Sequence, residues 1–409
     1  MNFTKQAALA SLLMMAATPA VWAQDSDSMV SISGFGTLGA VYHELDGAEF
    51  RRDVSQPNGA KAYQLSTDTD SMLGLQATVR PSTQFEATLQ LISRSTIDSN
   101  YLPQVSWAYA KYKPSEGAAV RVGRLGLEMF LQGDSTDIGY ANLLVRQPMV
   151  FYPRTMDGVD AELTRPLGEG TLRLKAMVGA AVGKLTYTDP YDTGGSHIWG
   201  ALAEYSKGSW IGRVSSGQLT LNRELSGVQL DALKAGLAMT PNGAAVNSAL
   251  SMQNRTANYS SLALAYDEGP LQGSASYVRI ASQGWQDQQV ISTQLGYRIG
   301  KFTPYAAYAT ARTDRSIIAT GVPSGLSPMT DALNQGAALA QGSFKNNQSD
   351  LALGVRYNIS RNASLKLQAD RISYQDPGSI IDANLLTTDY ASRPTRTMSL
   401  LSVALEFAF

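Results

Sequence analysis

Apolar residues alternate with small or polar residues in segments of about ten along most of the chain, which is the period of a β-strand. The clearest case ends the chain, where Leu401, Val403, Leu405, Phe407 and Phe409 fall on one face of the segment. A segment of about ten residues is long enough to cross a bilayer as a tilted strand. A half-buried strand of a soluble protein alternates in the same way, so the connections must decide between the two.

The connections are alternately long and very short, which is the rhythm of an antiparallel barrel. We predict sixteen strands, near residues 29–43, 71–80, 84–98, 104–112, 119–127, 157–165, 171–183, 197–205, 210–218, 259–267, 271–281, 289–299, 303–311, 350–359, 364–374 and 397–409. The short joints, such as Pro81–Thr83 and Glu268–Pro270, are rich in the residues of tight turns. The pattern alone does not separate sixteen strands from eighteen.

A closed sheet is required because lipid offers no hydrogen-bond partner to an open edge. Beyond the first residues, no stretch approaches the roughly 18 apolar residues of a spanning helix. The predicted fold class is therefore all-β, a transmembrane antiparallel β-barrel. Aromatic residues near predicted strand ends, among them Tyr112, Trp210, Tyr266 and Tyr357, suit the headgroup boundary. Tyrosine is also common in any β-sheet.

The first residues have the order of a secretory signal. Lys5 precedes an apolar stretch from Ala7 to Ala17, and Val21-Trp22-Ala23 precedes a polar Gln24. We predict a signal peptide over residues 1–23 that is cleaved after Ala23. No linker or break in composition divides residues 24–409, so we expect them to form one barrel domain.

The parity of each strand assigns its two faces. With the more apolar face outward, Glu86, Thr88, Gln90 and Arg94 point inward, and the lumen is wet. The same rule sends further charged and polar residues inward, namely Asp160, Glu162, Arg173, Lys175, Arg356, Lys366, Gln368 and Asp370. A basic residue facing lipid at mid-membrane would cost about 2–4 kcal/mol, which forces this partition.

Three connections are unusually long. Residues 125–156 are too apolar for a solvated loop, and we expect them inside the barrel, with a separate outer subdomain as the alternative. Residues 219–258 and 312–349 are expected to form structured covers on the outside, with a short helix at Ala337–Ala340. Disorder of these two loops is the alternative.

Composition narrows the chemistry. The chain has no cysteine, so a disulfide framework or a thiolate metal site is excluded. Losing Lys5 with the signal leaves 32 basic against 34 acidic residues, and with this balance of charge nucleic-acid binding is not indicated. No HExxH or paired histidine occurs, no GxGxxG follows a strand as a nucleotide-binding loop would, and no cofactor or metal is predicted. The acidic pairs Asp68/Asp70 and Asp134/Asp137 are interpreted as solvated loop carboxylates rather than a calcium site.

The segment VSISGFGTLGAVY at residues 30–42, the turn rhythm and the terminal Phe409 together resemble the Gram-negative porin family over the whole chain. The resemblance implies that the third long loop folds into the lumen and forms a constriction. It also implies a homotrimer in the outer membrane, contact with lipid and lipopolysaccharide, and Phe409 as the signal read by the barrel-assembly machinery.

Site residues follow from the same resemblance. Arg124 looks like the family's wall arginine, and Glu128, Asp134 and Asp137 like the acidic side of its constriction. Arg94 and Arg173 are further wall candidates by parity, and Arg146 and Arg154 bring positive charge into the loop itself. A PEFGG-like loop tip is absent from the sequence, which leaves anion or cation selectivity open.

The leading hypothesis is a water-filled porin for passive diffusion of small hydrophilic solutes and ions. A substrate-specific channel with a saturable site is the alternative, followed by an adhesin or structural barrel that uses its long loops. An outer-membrane hydrolase would need a base. His43 and His197 are the only histidines, and neither accompanies a nucleophile motif, so the chain is not predicted to be an enzyme.

Overall fold

A computed structural model describes residues 29–147, 153–185, 190–282, 287–314, 317–342, 347–376, 385–387 and 396–409. The predicted signal peptide and its cleavage site at Ala23 lie outside the described residues.

Sixteen long strands form the barrel, one for each predicted segment, which excludes the eighteen-strand alternative. They are β1 Val30–His43, β2 Met72–Val79, β3 Phe85–Thr96, β4 Gln104–Ser115, β5 Ala118–Gly126, β6 Thr155–Leu167, β7 Gly170–Val182, β8 His197–Lys207, β9 Trp210–Thr220, β10 Thr256–Glu268, β11 Leu271–Ser282, β12 Asp287–Tyr297, β13 Phe302–Asp314, β14 Asn347–Asn358, β15 Ala363–Asp376 and β16 Arg396–Ala408. Each strand pairs antiparallel with its neighbours in sequence, and β1 pairs with β16, so the sheet has no open edge.

The seam between β1 and β16 depends on two glycines. The backbones of Gly34 and Phe409 exchange hydrogen bonds of 2.9 and 2.8 Å. A Cβ atom on Gly34 would lie 2.4 Å from the Phe409 ring, and one on Gly36 would lie 2.5 Å from the Phe407 ring. The far ends of the terminal aromatic rings therefore lie against backbone that only glycine leaves uncovered.

The two faces of the wall follow the predicted parity. Outward Phe85, Leu89 and Leu367 are 53%, 44% and 48% exposed, whereas inward Gln90 and Gln368 are buried. Exposed apolar side chains on the outer face and polar ones inside are what a wall between lipid and a wet lumen requires.

Aromatic pairs mark the end of the barrel that carries the short turns. Phe85–Tyr112, Trp210–Tyr266 and Phe302–Tyr357 each join neighbouring strands, with ring centroids 4.9, 4.6 and 4.8 Å apart. Each of these aromatic residues lies within a few residues of a short turn between two strands. Such a belt suits the boundary between hydrocarbon and headgroups.

The opposite end carries the long connections, and the described parts of these contain three α-helices that cover it. They are α1 Val228–Leu237, α2 Gly243–Leu250 and α3 Pro328–Gly342, and the helix expected at Ala337–Ala340 is part of α3. Leu237, Val246 and Leu250 are buried in one cluster with Val54 and Leu221. The expectation of structured covers is confirmed for the described parts of both loops. None of these helices is both long and apolar enough to cross a bilayer.

The described parts of the loops at this end contain six short strands, and five of these pair in small local sheets. They are Ala48–Phe50, Ala60–Lys61 and Leu385–Thr387 in one sheet, and Lys184–Leu185 with Tyr191–Asp192 in another. A two-residue strand, Ser99–Asn100, extends the β3–β4 hairpin.

Candidate pore constriction

The connection between β5 and β6, residues 127–154 and here called the lumen loop, lies inside the barrel as expected. Its described part contacts inward side chains on opposite walls. Arg173 of β7 pairs with Glu128, and Lys366 of β15, eight strands away in the barrel of sixteen, donates to the Asn142 carbonyl at 2.7 Å. The loop therefore crosses the lumen.

Lys366 of β15 holds the middle of the lumen loop. Its ammonium donates to the carbonyl oxygens of Gly139, Asn142 and Leu144 at 2.9, 2.7 and 2.9 Å. It also pairs with Glu406 of β16 at 2.7 Å, and neither side chain is exposed. The short 3-10 turn Gly139–Ala141 is thereby tied to the wall through a charge that is itself balanced.

Apolar contacts support the same stretch. Leu143 and Leu144 are buried against Tyr305, Ala307 and Ala352 of the wall. This burial agrees with the apolar character of the loop in the sequence. Met149, Val150 and Phe151, which belong to the stretch of residues 125–156 predicted to lie inside the barrel, are outside the described residues.

Glu128 fixes the beginning of the lumen loop. Its carboxylate accepts hydrogen bonds from Arg121 of β5 at 3.1 Å and from Arg173 and Lys175 of β7. Burial alone would raise the pKa of Glu128, but Lys175 and Arg173 outweigh it and lower the pKa to about 2. The carboxylate is therefore charged and held by three cations at neutral pH.

A second ion-pair group closes the end of the loop. Arg154 pairs with Asp137 at 2.7 Å and with Asp53 at 3.5 Å, and Arg94 of β3 pairs with Asp53 at 2.8 Å. Burial opposes ionisation of both carboxyls, yet the surrounding guanidinium groups hold the pKa of Asp137 and of Asp53 below the ordinary value. The interpretation of Asp137 as a solvated loop carboxylate is therefore wrong.

Arg146 joins the lumen loop to a second loop. It is buried, lies 3.4 Å from Asp70, donates to the Ser402 hydroxyl at 3.0 Å and sits over the Phe50 ring. Burial works against its charge, but neighbouring carboxylates, Asp70 first, raise the pKa of Arg146. Asp70 is 1% exposed, so the solvated interpretation is wrong for this residue too.

The second loop is the connection between β1 and β2, residues 44–71, for which the sequence analysis makes no separate prediction. Its residues 51–56 are buried, and Arg52 donates to the Thr136 carbonyl of the lumen loop at 3.0 Å. The stretch reads Arg51-Arg52-Asp53. A charged tripeptide gives no hydrophobic signal of burial, so only its pairing partners place it inside.

Asp134 differs from the other acidic residues of the lumen loop. Its side chain is exposed and has no ion-pair partner among the described residues. Partial desolvation by the surrounding barrel, followed by the negative charge of Glu128, raises the pKa of Asp134, although Arg213 and Arg173 oppose the rise from a distance. Of the predicted acidic residues, this one presents to the lumen a carboxylate that has no ion pair among the described residues.

Arg124 is not placed as expected. It alternates with the fully buried Leu125 and shares the outward face of β5 with Val122. Its guanidinium pairs with Asp157 of β6 at 2.8 Å. Strand parity turns Arg121 inward instead, over the Tyr109 ring and onto Glu128. The arginine of β5 that contacts the lumen loop is therefore Arg121, which the alternation of β5 could have identified.

The described residues show little that indicates a catalytic site or a metal site. The ring of His43 is fully buried, and its nitrogens lie 2.7 Å from the Ala60 carbonyl and 3.2 Å from the Leu45 amide. His197 is exposed at the start of β8. Within the described ranges, no three acidic or histidine side chains converge as a metal site.

The family comparison decides what kind of barrel this is. The model of the Gram-negative porin family matches residues 8–377. The chain belongs to the Gram-negative porins. It is accordingly an outer-membrane channel, as family and closed barrel together indicate. Among curated proteins, none matches the sequence.

Solved structures of outer-membrane proteins share the fold of this porin. The anion-selective porin from Comamonas acidovorans has 13% identity and a TM-score of 0.52, over 93% of this chain and 100% of that one. The outer membrane channel DcaP of Acinetobacter baumannii has 13% identity and a TM-score of 0.54, over 93% and 97%. The trimer form of OmpT from Vibrio cholerae has 11% identity and a TM-score of 0.51, over 93% and 100%.

Proposed function

We propose that this porin forms a water-filled channel through which small hydrophilic solutes and ions diffuse passively, with the lumen loop setting its width. The observation that carries the proposal is the crossing of the lumen by a loop held at its beginning, middle and end. Glu128, Lys366 and Arg154 fix these three points. A loop fixed in this way narrows the passage to a constant width, because thermal motion does not carry the loop in and out of the lumen.

The charged side chains along the passage support selection of permeating ions by electrostatics rather than by a chemical reaction. Arg121, Arg173 and Lys175 are compensated by Glu128 and Asp160. Asp134 is exposed to the lumen without such a partner among the described residues. A fixed charge in a narrow passage acts on ions with little screening, so Asp134 should favour cations locally. No step of this transport makes or breaks a bond, and the protein acts without an enzymatic reaction.

Export and assembly complete the proposal. Residues 1–23 direct export and are removed after Ala23, and residues 24–409 form the porin domain in the outer membrane among lipid and lipopolysaccharide. Phe409 is the signal for the barrel-assembly machinery. The trimer form of OmpT from Vibrio cholerae, which shares the fold, supports a homotrimer for this chain.

Liposome swelling tests passive diffusion. Refolded protein is placed in liposomes, and swelling is followed with uncharged sugars of increasing size. Diffusion predicts rates that fall steadily with solute size and rise linearly with solute concentration. A rate that saturates, or inhibition of one solute by another, would instead support the substrate-specific channel. Liposomes that do not swell with any solute would contradict both, and would leave the adhesin or structural barrel.

A further inference from the structure

A cavity of about 120 Å³ lies apart from the charged constriction, between the beginning of the lumen loop and the helical cover. Leu127 and Met129 of the loop line one side, and Leu221 and Met252 of the cover line the other. These residues belong to two separate hydrophobic clusters, and Leu219 of β9 packs against both. The cavity is thus the gap that the two clusters leave between them.

The lining of this cavity is apolar. Ile198 of β8, Tyr259 of β10 and Ile280 of β11 contribute the barrel wall. None of the described residues that line it carries a charge. An apolar cavity of about 150 Å³ is known to stay dry and to bind benzene, because water finds too few partners in it. A volume of this size and lining therefore favours one small ring over water.

One end of the cavity is polar. Ser282, at the end of β11, is 9% exposed, and its hydroxyl has no hydrogen-bond partner among the described residues. Gln288 of β12 lines the same region and is also buried. A buried hydroxyl without a partner costs free energy until a ligand or water satisfies it. The preferred occupant accordingly combines an apolar ring with one hydrogen-bonding group.

We propose that this cavity is a binding site for a small uncharged monocyclic aromatic molecule with a single hydroxyl group, a phenol. The ring fills the space between the lumen loop and the cover, and its hydroxyl pairs with Ser282. The site shares the lumen loop with the proposed constriction, but no residue that lines it belongs to the ion pairs of the constriction, so the two proposals are tested separately. An occupant contacts loop and cover together, so binding stabilises the folded barrel by mass action.

Binding is measured by ¹⁹F NMR with 4-fluorophenol and refolded full-length protein in detergent. Leu219→Trp fills the cavity from the wall. Leu264→Trp is the matched control, since it adds the same ring to the outer face of β10, where Leu264 is 47% exposed. We expect saturable binding to the wild type and the control, and a loss of at least about tenfold in Leu219→Trp. Equal binding to Leu219→Trp and the control would show partitioning into detergent and overturn the proposal.

Two further variants keep the test decisive. If Leu219→Trp lacks the mobility shift of a folded barrel on boiling, Ile280→Phe replaces it as the filling variant, with the same expectation. Ser282→Ala should weaken 4-fluorophenol about fivefold, the effect of one hydrogen bond, and leave fluorobenzene unchanged. An equal effect on both probes would contradict the role of Ser282.

Discussion

At the scale of single residues, Glu128 provides a pH-dependent anchor. Its pKa is about 2 in the folded protein against an ordinary 4.5, so its ion pairs contribute fully above pH 4.5 and are lost as the pH falls toward 2. We expect the melting temperature of the wild type to fall across this window more steeply than that of Glu128→Gln, in which the titrating group is gone. The difference corresponds to an effect on the order of 3 kcal/mol. Parallel melting curves for the two proteins would show that Glu128 is not the anchor.

Replacing Arg121 and replacing Arg124 should have different effects on ion selectivity, although the two residues are only three positions apart. Arg121 lies in the lumen on Glu128, and Arg124 lies on the outer face with Asp157. Arg121→Gln should therefore shift the reversal potential in a salt gradient toward cations, because it leaves Asp160 and Glu128 less compensated. Arg124→Gln should leave the reversal potential unchanged. The reverse result would restore Arg124 to the constriction.

Strand parity predicted correctly which single residues face the lumen, whereas the position of a residue carried over from a family motif was wrong. Parity placed Arg173, Lys175 and Lys366 inward, and each contacts the lumen loop. The position of Arg124 came from a resemblance to the family's wall arginine, whereas a residue one step away from Leu125 must face the other way. Which carboxylates find a cation depends on three-dimensional proximity, so the difference between Asp134 and Asp137 was not predictable.

At the scale of elements, the lumen loop depends on one lysine. Lys366→Met keeps the length of the side chain and removes the donor to three carbonyl oxygens. The buried Glu406 then loses its cation, so stability should fall by about 3–5 kcal/mol. The released loop should also increase open-channel noise in single-channel recordings. Lys61→Met, at an exposed position of the outer loops, is the control and should behave as wild type. Quiet wild-type openings in Lys366→Met would contradict the anchoring role.

The seam of the barrel makes a prediction about assembly. Gly36→Val places a side chain where the Phe407 ring lies, and removing Phe409 deletes the last pair of the seam. Both changes should lower the yield of folded protein in the outer membrane. Gly212→Val is the control, because a Cβ atom there meets no neighbour within 4 Å. A normal yield of Gly36→Val would mean that the rings can move aside without cost.

Elements were predicted from the sequence more fully than the contacts between them. All sixteen strands were found because each must alternate over its full length to separate lipid from lumen. The apolar composition of the lumen loop predicted that this loop is buried. The composition of residues 44–71 did not predict burial, because the buried part of that loop is held by ion pairs. A charged segment looks the same in sequence whether water or another ion compensates its charge.

For the whole molecule, the central claim is a pore that the lumen loop narrows, with Asp134 in the path of permeating ions. The most direct test is the reversal potential in planar bilayers under a tenfold salt gradient, for the wild type, Asp134→Asn and the control Glu169→Gln, whose side chain is 81% exposed at a short turn. We expect discrete conductance steps for all three proteins. We also expect a shift of the reversal potential toward anions in Asp134→Asn alone, on the order of 10 mV of the about 59 mV that perfect selectivity would give. An absence of steps in the wild type, or equal reversal potentials for Asp134→Asn and Glu169→Gln, would contradict it.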